Sequence, residues 1–157
     1  MRILVAMTCL AIAACSPQPA AKQGTVRELD GVFEFTTLEI INDAGEQLVF
    51  DVYLARDSEQ QRRGLMFVRS MPERTGMLFI YETDDMRSMW MKNTYIPLDM
   101  IFARSDGAVS SVIHRAEPHT LVSRASIEPV RYVLELNAGV ARRLGIIGGR
   151  SRIVWDR

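Results

Sequence analysis

The residues best suited to chemistry in this chain lie within residues 89–102, where aromatic, sulfur-bearing and charged side chains interrupt apolar runs. If residues 89–94 are extended, Trp90 and Lys92 share one face, because successive side chains of a strand point to opposite sides. A second apolar run carries Asp99 between Leu98 and Met100. Charges inside an otherwise apolar pattern favour a functional site.

Two interpretations of this stretch remain open at the level of sequence. If the two runs pair as neighbouring strands, Lys92 and Asp99 form a structural ion pair that fixes the register, and Asn93 satisfies the turn backbone. Alternatively, these three residues form the polar floor of a small-ligand pocket walled by Trp90 and Tyr95. The second interpretation predicts a binding site.

The methionines suggest a different function. Met86, Met89 and Met91 place three thioethers close together, and soft thioether ligands favour Cu(I). Methionine is equally a routine filler of hydrophobic cores, and these positions alternate as a buried strand would. His114 and His119 are five positions apart and fit no common zinc motif. The prediction is therefore no cofactor, with a Cu(I) site as an alternative.

Hydrolysis is a third interpretation. Asp99 or Glu135 would act as a general base together with His114. The sequence contains no nucleophile elbow, serine-triad order or metalloprotease motif. The glycine-rich residues 145–151 lack the lysine and the spacing of a phosphate-binding loop. These observations favour a binding protein over an enzyme.

Turn signals divide the chain into short strands. Asn42-Asp43-Ala44-Gly45 and Ser105-Asp106-Gly107 are hairpin turns. Strands are predicted at residues 33–41, 47–54, 77–81, 98–102, 108–114, 130–136 and 151–155.

Two short helices complete the pattern. Asp57 with Gln60 forms a capping box that starts a helix ending at Gly64. Asn137 is expected to cap a second helix over residues 138–144, and residues 117–128 are expected to be irregular. The fold class is mainly β: a single-domain antiparallel β-sandwich or barrel-like fold with one or two short helices.

The N-terminus predicts export. Arg2 precedes an apolar run over residues 3–14, which is too short for a bilayer span of about 20 residues and is typical of a signal peptide. Ile12-Ala13-Ala14-Cys15 resembles a lipoprotein lipobox, which implies cleavage before Cys15 and several acyl chains as a membrane anchor. Ser16 resembles an outer-membrane sorting signal. Residues 15–30, rich in Pro, Gln and Ala, are predicted to form a flexible tether to a domain at 31–157.

Composition agrees with a globular domain of the cell envelope. The 157 residues suit one domain, and 48% are apolar. With 19 basic and 19 acidic residues, the chain has no global field for nucleic acid. Cys9 leaves with the signal peptide and Cys15 carries lipid, so no disulfide is expected in the domain.

Four sequence blocks follow one another along the chain: Arg63-Gly64-Leu65-Met66, Gly76-Met77-Leu78-Phe79, residues 89–102, and Tyr132-Val133-Leu134-Glu135 with Ala138-Gly139. Together, over residues 35–154, they resemble the bacterial and archaeal family called domain of unknown function 192. The resemblance implies a small, often exported β-rich domain and supplies no activity. Because Arg63 and Glu135 lie in the other blocks, the resemblance implies that they belong to the same site as residues 89–102.

These observations predict a lipid-anchored, periplasm-facing protein of the outer membrane that binds a small polar molecule or an envelope polymer. The expected ligand-binding residues are Arg63, Trp90, Lys92, Asn93, Tyr95, Asp99 and Glu135.

Overall fold

The computed structural model describes residues 25–155. The predicted signal peptide, Cys15 and the predicted tether up to residue 24 lie outside the described residues. Within residues 25–155, the chain forms nine strands and two short helices: β1 (Glu34–Ile41), β2 (Gln47–Ala55), α1 (Ser58–Arg63), β3 (Thr75–Asp85), β4 (Ser88–Met89), β5 (Leu98–Ala103), β6 (Val109–Ala116), β7 (Arg124–Ala125), β8 (Val130–Asn137), α2 (Val140–Arg143) and β9 (Arg152–Val154). Neither helix of this part of the chain is long enough to cross a bilayer.

Seven strands form one curled sheet in the order β6-β5-β8-β3-β2-β1-β9, and β4 pairs with β7 in a separate ribbon. The strands at the two ends of the large sheet approach each other through a bridge between Ala108 and Arg152. The sheet is thus a half-barrel, which confirms the mainly β, barrel-like prediction. Its neighbours are antiparallel except β2 and β3, which run parallel because α1 provides the crossover between them.

A glycine turn allows the two ends of the sheet to meet. The predicted hairpin turn joins β5 to β6, and Gly107 adopts a positive φ of 84° there. The backbone N–H of Ile153 on β9 donates to the Gly107 carbonyl at 2.8 Å. A Cβ atom at Gly107 would collide with the Ile153 carbonyl oxygen. Glycine is therefore required by both the turn and the closure.

The predicted capping box forms at α1. The Asp57 carboxylate accepts from the backbone N–H groups of Glu59 and Gln60 at 2.9 and 2.8 Å, and the Gln60 side chain accepts from the Asp57 N–H. The Gln61 side chain donates to the Ile80 carbonyl at 2.8 Å. This bond fixes α1 on β3, with the helix ending at Gly64 as predicted.

Both faces of the sheet are buried, and each carries its own hydrophobic core. Along β8, Val133 belongs to the first core, while Leu134 and Leu136 belong to the second core inside the half-barrel. The alternation of side chains along a strand produces this division. The first core is covered by the segment before β1, by the loop after α1, and by the chain between β3 and β5.

Packed residues begin before residue 30, where the tether was predicted to end. Val26 and Leu29 are 3% and 0% exposed and pack in the first core. The hydroxyl of Tyr53 accepts from the Val26 N–H at 2.7 Å. These two apolar residues interrupt a polar segment. Their burial beside Tyr53 is favourable, so the chain is packed against the domain from Val26 onwards.

The chain after β3 also differs from the prediction. Within residues 89–97, only Met89 belongs to a strand. That strand, β4, pairs with Arg124–Ala125 inside the region expected to be irregular. The Met91 N–H donates to the Thr120 carbonyl at 3.0 Å. Residues 89–94 therefore do not pair with β5, whose neighbours are β6 and β8.

Asn137 does not cap the second helix. It is the last residue of β8, and its amide donates to the carbonyls of Met71 and Pro72 at 2.9 and 3.1 Å. Gly139 occupies the N-cap position without a side-chain hydrogen bond of its own. The residue that satisfies this helix start is Asp99.

Asp99 is fully buried, and its carboxylate binds backbone N–H groups. Its carboxylate accepts from the N–H groups of Arg115, Gly139 and Ala141 at 2.9, 2.8 and 2.9 Å. It thereby joins β5 to β6 and to the start of α2. Among the ion pairs of residues 25–155, none joins it to Lys92, so the hypothesis of a Lys92–Asp99 pair is wrong.

We expect Asp99→Asn to lower the free energy of unfolding by at least about 2 kcal/mol, because the amide NH₂ group would face a buried N–H and leave it unsatisfied. Urea unfolding measures this change. Asp57→Asn is the matched control, since Asn caps a helix as well as Asp does and should change stability by less than about 0.5 kcal/mol. Equal effects of the two substitutions would contradict a structural role specific to Asp99.

Candidate functional site

A cavity of about 300 Å³ opens over the first core, between α1 and the chain around β4. Phe79 and Tyr81 of β3 and Glu135 of β8 form its floor. Its walls come from two segments: Ser58, Gln61, Arg62, Arg63, Gly64, Leu65 and Met66 on one side, and Ser88, Met89, Trp90, Lys92 and Thr94 on the other.

Glu135 is the unusual group of this cavity. It is 3% exposed, and its neighbours on the adjacent strands are Met77 and Met100, both fully buried. Among the contacts of residues 25–155, no hydrogen bond or ion pair reaches its carboxyl group. Burial raises its pKa from 4.5 to about 8, because the charged form loses its hydration. At neutral pH the carboxyl group is therefore mainly protonated.

Tyr81 lines the same cavity as this carboxyl group. Burial raises the pKa of Tyr81, the Arg87 guanidinium lowers it, and Glu135 raises it further. The Arg87 guanidinium carbon is 4.0 Å from the centre of the tyrosine ring. The tyrosine hydroxyl contacts the Met89 sulfur at 3.8 Å. Tyr81 is thus a neutral wall of the cavity. Arg87 contacts its ring, and Met89 contacts its hydroxyl group.

The entrance of the cavity is positively charged. Arg62 and Lys92 are exposed and Arg63 is half-buried, and none of these three cations forms an ion pair with any described residue. One Arg63 nitrogen donates to the Glu28 carbonyl at 2.8 Å, whereas its buried Nε has no partner within residues 25–155. The Lys92 ammonium lies 5.6 Å from the centre of the Trp90 ring, within reach of a cation–π interaction.

The structure brings together four of the seven residues predicted to bind a ligand. Arg63, Trp90, Lys92 and Glu135 line the same cavity. Asn93, Tyr95 and Asp99 do not line it.

Asn93 shapes the cavity without facing it. It adopts a positive φ of 55°, a conformation that Asn tolerates better than most residues. Its carbonyl accepts from the Phe67 N–H at 2.8 Å, which joins the chain after β4 to the loop after α1. Tyr95 packs elsewhere, with its ring centre 5.1 Å from that of His119 and 5.0 Å from the Arg69 guanidinium.

The two carboxyl groups considered for hydrolysis lie on opposite faces of the sheet. Asp99 is paired across the strands with Leu136, whereas Glu135 is paired with Met100. Adjacent positions on a strand point to opposite sides. His114 accompanies Asp99, with its Nδ1 3.9 Å from the carboxylate, so no single substrate would contact both acids.

The methionines of the Cu(I) hypothesis have different environments. Met86 is 53% exposed, whereas Met89 and Met91 are buried in the first core. Within residues 25–155, no group of three or more His, Cys, Asp or Glu side chains is arranged to hold a metal ion. Copper binding by the thioethers stays a prediction.

The sequence interpretation missed the aromatic floor and part of the entrance. Tyr81 continues the alternation of Met77 and Phe79 along β3, which is a signal for the same face. Arg62 had no such signal. Lys92 stands out in another way, because it and Lys22 are the only lysines in a chain with 17 arginines.

The fold and the cavity define a mainly β half-barrel domain with a buried acid beneath a cationic entrance. The chain belongs to the family DUF192, described as an uncharacterized ACR, whose profile matches residues 39–153. The resemblance seen in the sequence is thereby confirmed.

Solved structures from two bacteria are similar to this chain. A protein described as a candidate transcription regulator from Sinorhizobium meliloti 1021 is 41% identical, with a TM-score of 0.74, over 77% of this chain and 93% of its own. A protein of unknown function from Novosphingobium aromaticivorans DSM 12444 is 35% identical, with a TM-score of 0.77, over 83% of this chain and 91% of its own. No curated protein matches the chain.

The pH dependence of stability tests the state of Glu135. The folded protein holds this proton up to about pH 8, whereas the unfolded chain loses it near pH 4.5. The unfolded state therefore binds fewer protons over this interval, and the free energy of unfolding falls as the pH rises through it. We expect Glu135→Gln to remove this component, so that its stability relative to wild type rises by roughly 4 kcal/mol between about pH 4 and pH 8.

Urea unfolding at several pH values measures this difference. Glu82→Gln, on the exposed end of β3, controls for the loss of one negative charge. Parallel pH profiles for wild type and Glu135→Gln would show that the buried carboxyl group ionises in the folded protein as it does in the unfolded chain.

Proposed function

We propose that this protein is a binding module of the bacterial cell envelope and that a small molecule occupies the cavity over Glu135. The observation that carries the proposal is this buried carboxyl group, which has no protein partner within residues 25–155 and faces an open cavity. Burial raises the pKa of this carboxyl group to about 8, and ionisable groups whose pKa is perturbed by burial beside a cleft are concentrated at functional sites.

The composition of the cavity supports a small ligand. Its volume of about 300 Å³ lies at the lower end of the range for ligand pockets. Aromatic and thioether side chains supply the apolar walls, and a few polar groups converge on the same space. A small polar molecule, or one unit of an envelope polymer, suits these dimensions.

Binding is favoured over catalysis and over nucleic-acid recognition. The second acid considered for a hydrolase, Asp99, lies on the other face of the sheet and is occupied by three backbone N–H groups. The equal numbers of basic and acidic residues favour a small ligand over nucleic acid as the partner of this chain, although one relative is described as a candidate transcription regulator.

The proposal includes a lipid anchor at Cys15, supported by the signal-like residues before it. The first described contacts of the domain begin at Val26. The chain between these two residues can extend at most about 40 Å. The anchor would therefore keep the cavity close to the membrane surface, periplasm-facing on the outer membrane.

A thermal-shift screen of polar metabolites and cell-wall fragments against the full mature chain tests the cavity. We expect at least one compound to raise the Tm of wild type by mass action and to have little effect on Trp90→Ala. Phe67→Ala is the matched control, since Phe67 is 49% exposed, like Trp90, but does not line the cavity. Compounds that stabilise all three proteins equally would place binding elsewhere.

Mass spectrometry of the N-terminal peptide tests the anchor. We expect the mature chain to begin at an acylated Cys15 and to fractionate with outer membranes, and Cys15→Ser to release the protein from them. An unmodified Cys15, or a soluble mature chain that begins elsewhere, would contradict lipid anchoring.

A further inference from the structure

We infer that the cavity binds a small oxyanion, a carboxylate or a phosphate ester, with its charge against Arg63 and Lys92 and one oxygen accepting a hydrogen bond from the Glu135 carboxyl group. This inference rests on the proposed function and specifies the chemical class of its ligand.

The entrance of the cavity presents unpaired positive charges to a ligand. Three positive charges converge on one cavity, and none is neutralised by an acid of the described chain. A guanidinium group presents its N–H donors in a planar fork that matches carboxylate and phosphate oxygens. An oxyanion in the cavity would therefore neutralise cations that the acids of the described chain leave unpaired.

The floor of the cavity supplies a neutral hydrogen-bond donor, Glu135. Of the titratable groups that line the cavity, Arg62, Arg63 and Lys92 are cationic, and Tyr81 and Glu135 are neutral at pH 7. No described cation lies within ion-pair distance of Glu135. A protonated carboxyl group donates a hydrogen bond to an oxygen acceptor. The cavity therefore favours a ligand with net negative charge.

Four probes with one aromatic ring and different charges test this assignment on the full mature chain: benzoate, phenyl phosphate, benzyl alcohol and benzylamine. Two-dimensional ¹H–¹⁵N spectra locate each probe, and titrations measure its Kd. We expect benzoate or phenyl phosphate to shift the amide signals around Glu135 and Lys92, benzyl alcohol to bind more weakly, and benzylamine to leave them unchanged. Comparison of the two anions distinguishes a carboxylate site from a phosphate site.

Charge-removing variants provide the control. Lys92→Met should weaken binding of the anionic probe at least about tenfold, the effect of losing one charge-assisted contact. Arg142→Met removes an equally positive, exposed residue from α2 on the other face of the sheet and should leave the Kd unchanged. An equal loss in both variants would indicate a nonspecific effect of net charge and would overturn the assignment.

The pH dependence tests the hydrogen bond from Glu135. Benzoate stays ionised above neutral pH, so its affinity should fall as the pH rises through about 8, where Glu135 loses the proton that it donates and becomes a like charge. Glu135→Gln should lack this dependence, because its amide remains a neutral donor. A pH-independent Kd for wild type would overturn the role of Glu135.

The outcomes separate this inference from the proposed function. Binding of benzyl alcohol or benzylamine in the cavity in preference to both anions would overturn the oxyanion while leaving the cavity as a ligand site. If no probe and no compound from the thermal-shift screen perturbs the cavity residues, both proposals fail.

Discussion

The central strands of the sheet are buried on both faces, and the rest of the structure depends on this constraint. Strands β3, β8 and β5 lie between two hydrophobic cores, one inside the half-barrel and one beneath the covering segments. A polar side chain on these strands cannot reach water by turning to the other side, and an unsatisfied buried polar group is costly. Every acid placed there must find donors within the protein, or remain unsatisfied for another reason.

Asp99 and Glu135 show the two outcomes. Asp99 faces the start of α2, where its carboxylate accepts from the N–H groups of Gly139 and Ala141, and it also accepts from the Arg115 N–H on β6. Glu135, one position out of phase on the neighbouring strand, faces covering segments that leave an open cavity. The first acid holds three elements together. The second keeps its proton at neutral pH and has no hydrogen-bond partner among the described residues.

The shape of the cavity follows from connections rather than from the sheet itself. The parallel pairing of β2 and β3 requires a crossover, and α1 lies on the first core because it is that crossover. Its position is fixed by the bond from Gln61 to Ile80. The opposite wall is held by the β4–β7 ribbon and by the bond from Phe67 to Asn93. Such contacts join residues far apart in sequence, so the cavity exists only once the chain is fully packed.

Local patterns by themselves determined much of this protein. Side-chain alternation located the main strands, the Asp57–Gln60 box started α1, and sequence blocks identified the family and pointed to Lys92 and Glu135. The tertiary structure alone decided that β2 and β3 run parallel, that Asp99 serves the backbone, and that Glu135 lacks a partner among the described residues. The physical reason is that periodicity states which side chains share a face, whereas the segment that covers that face is selected by nonlocal packing and hydrogen bonds, which no local pattern contains.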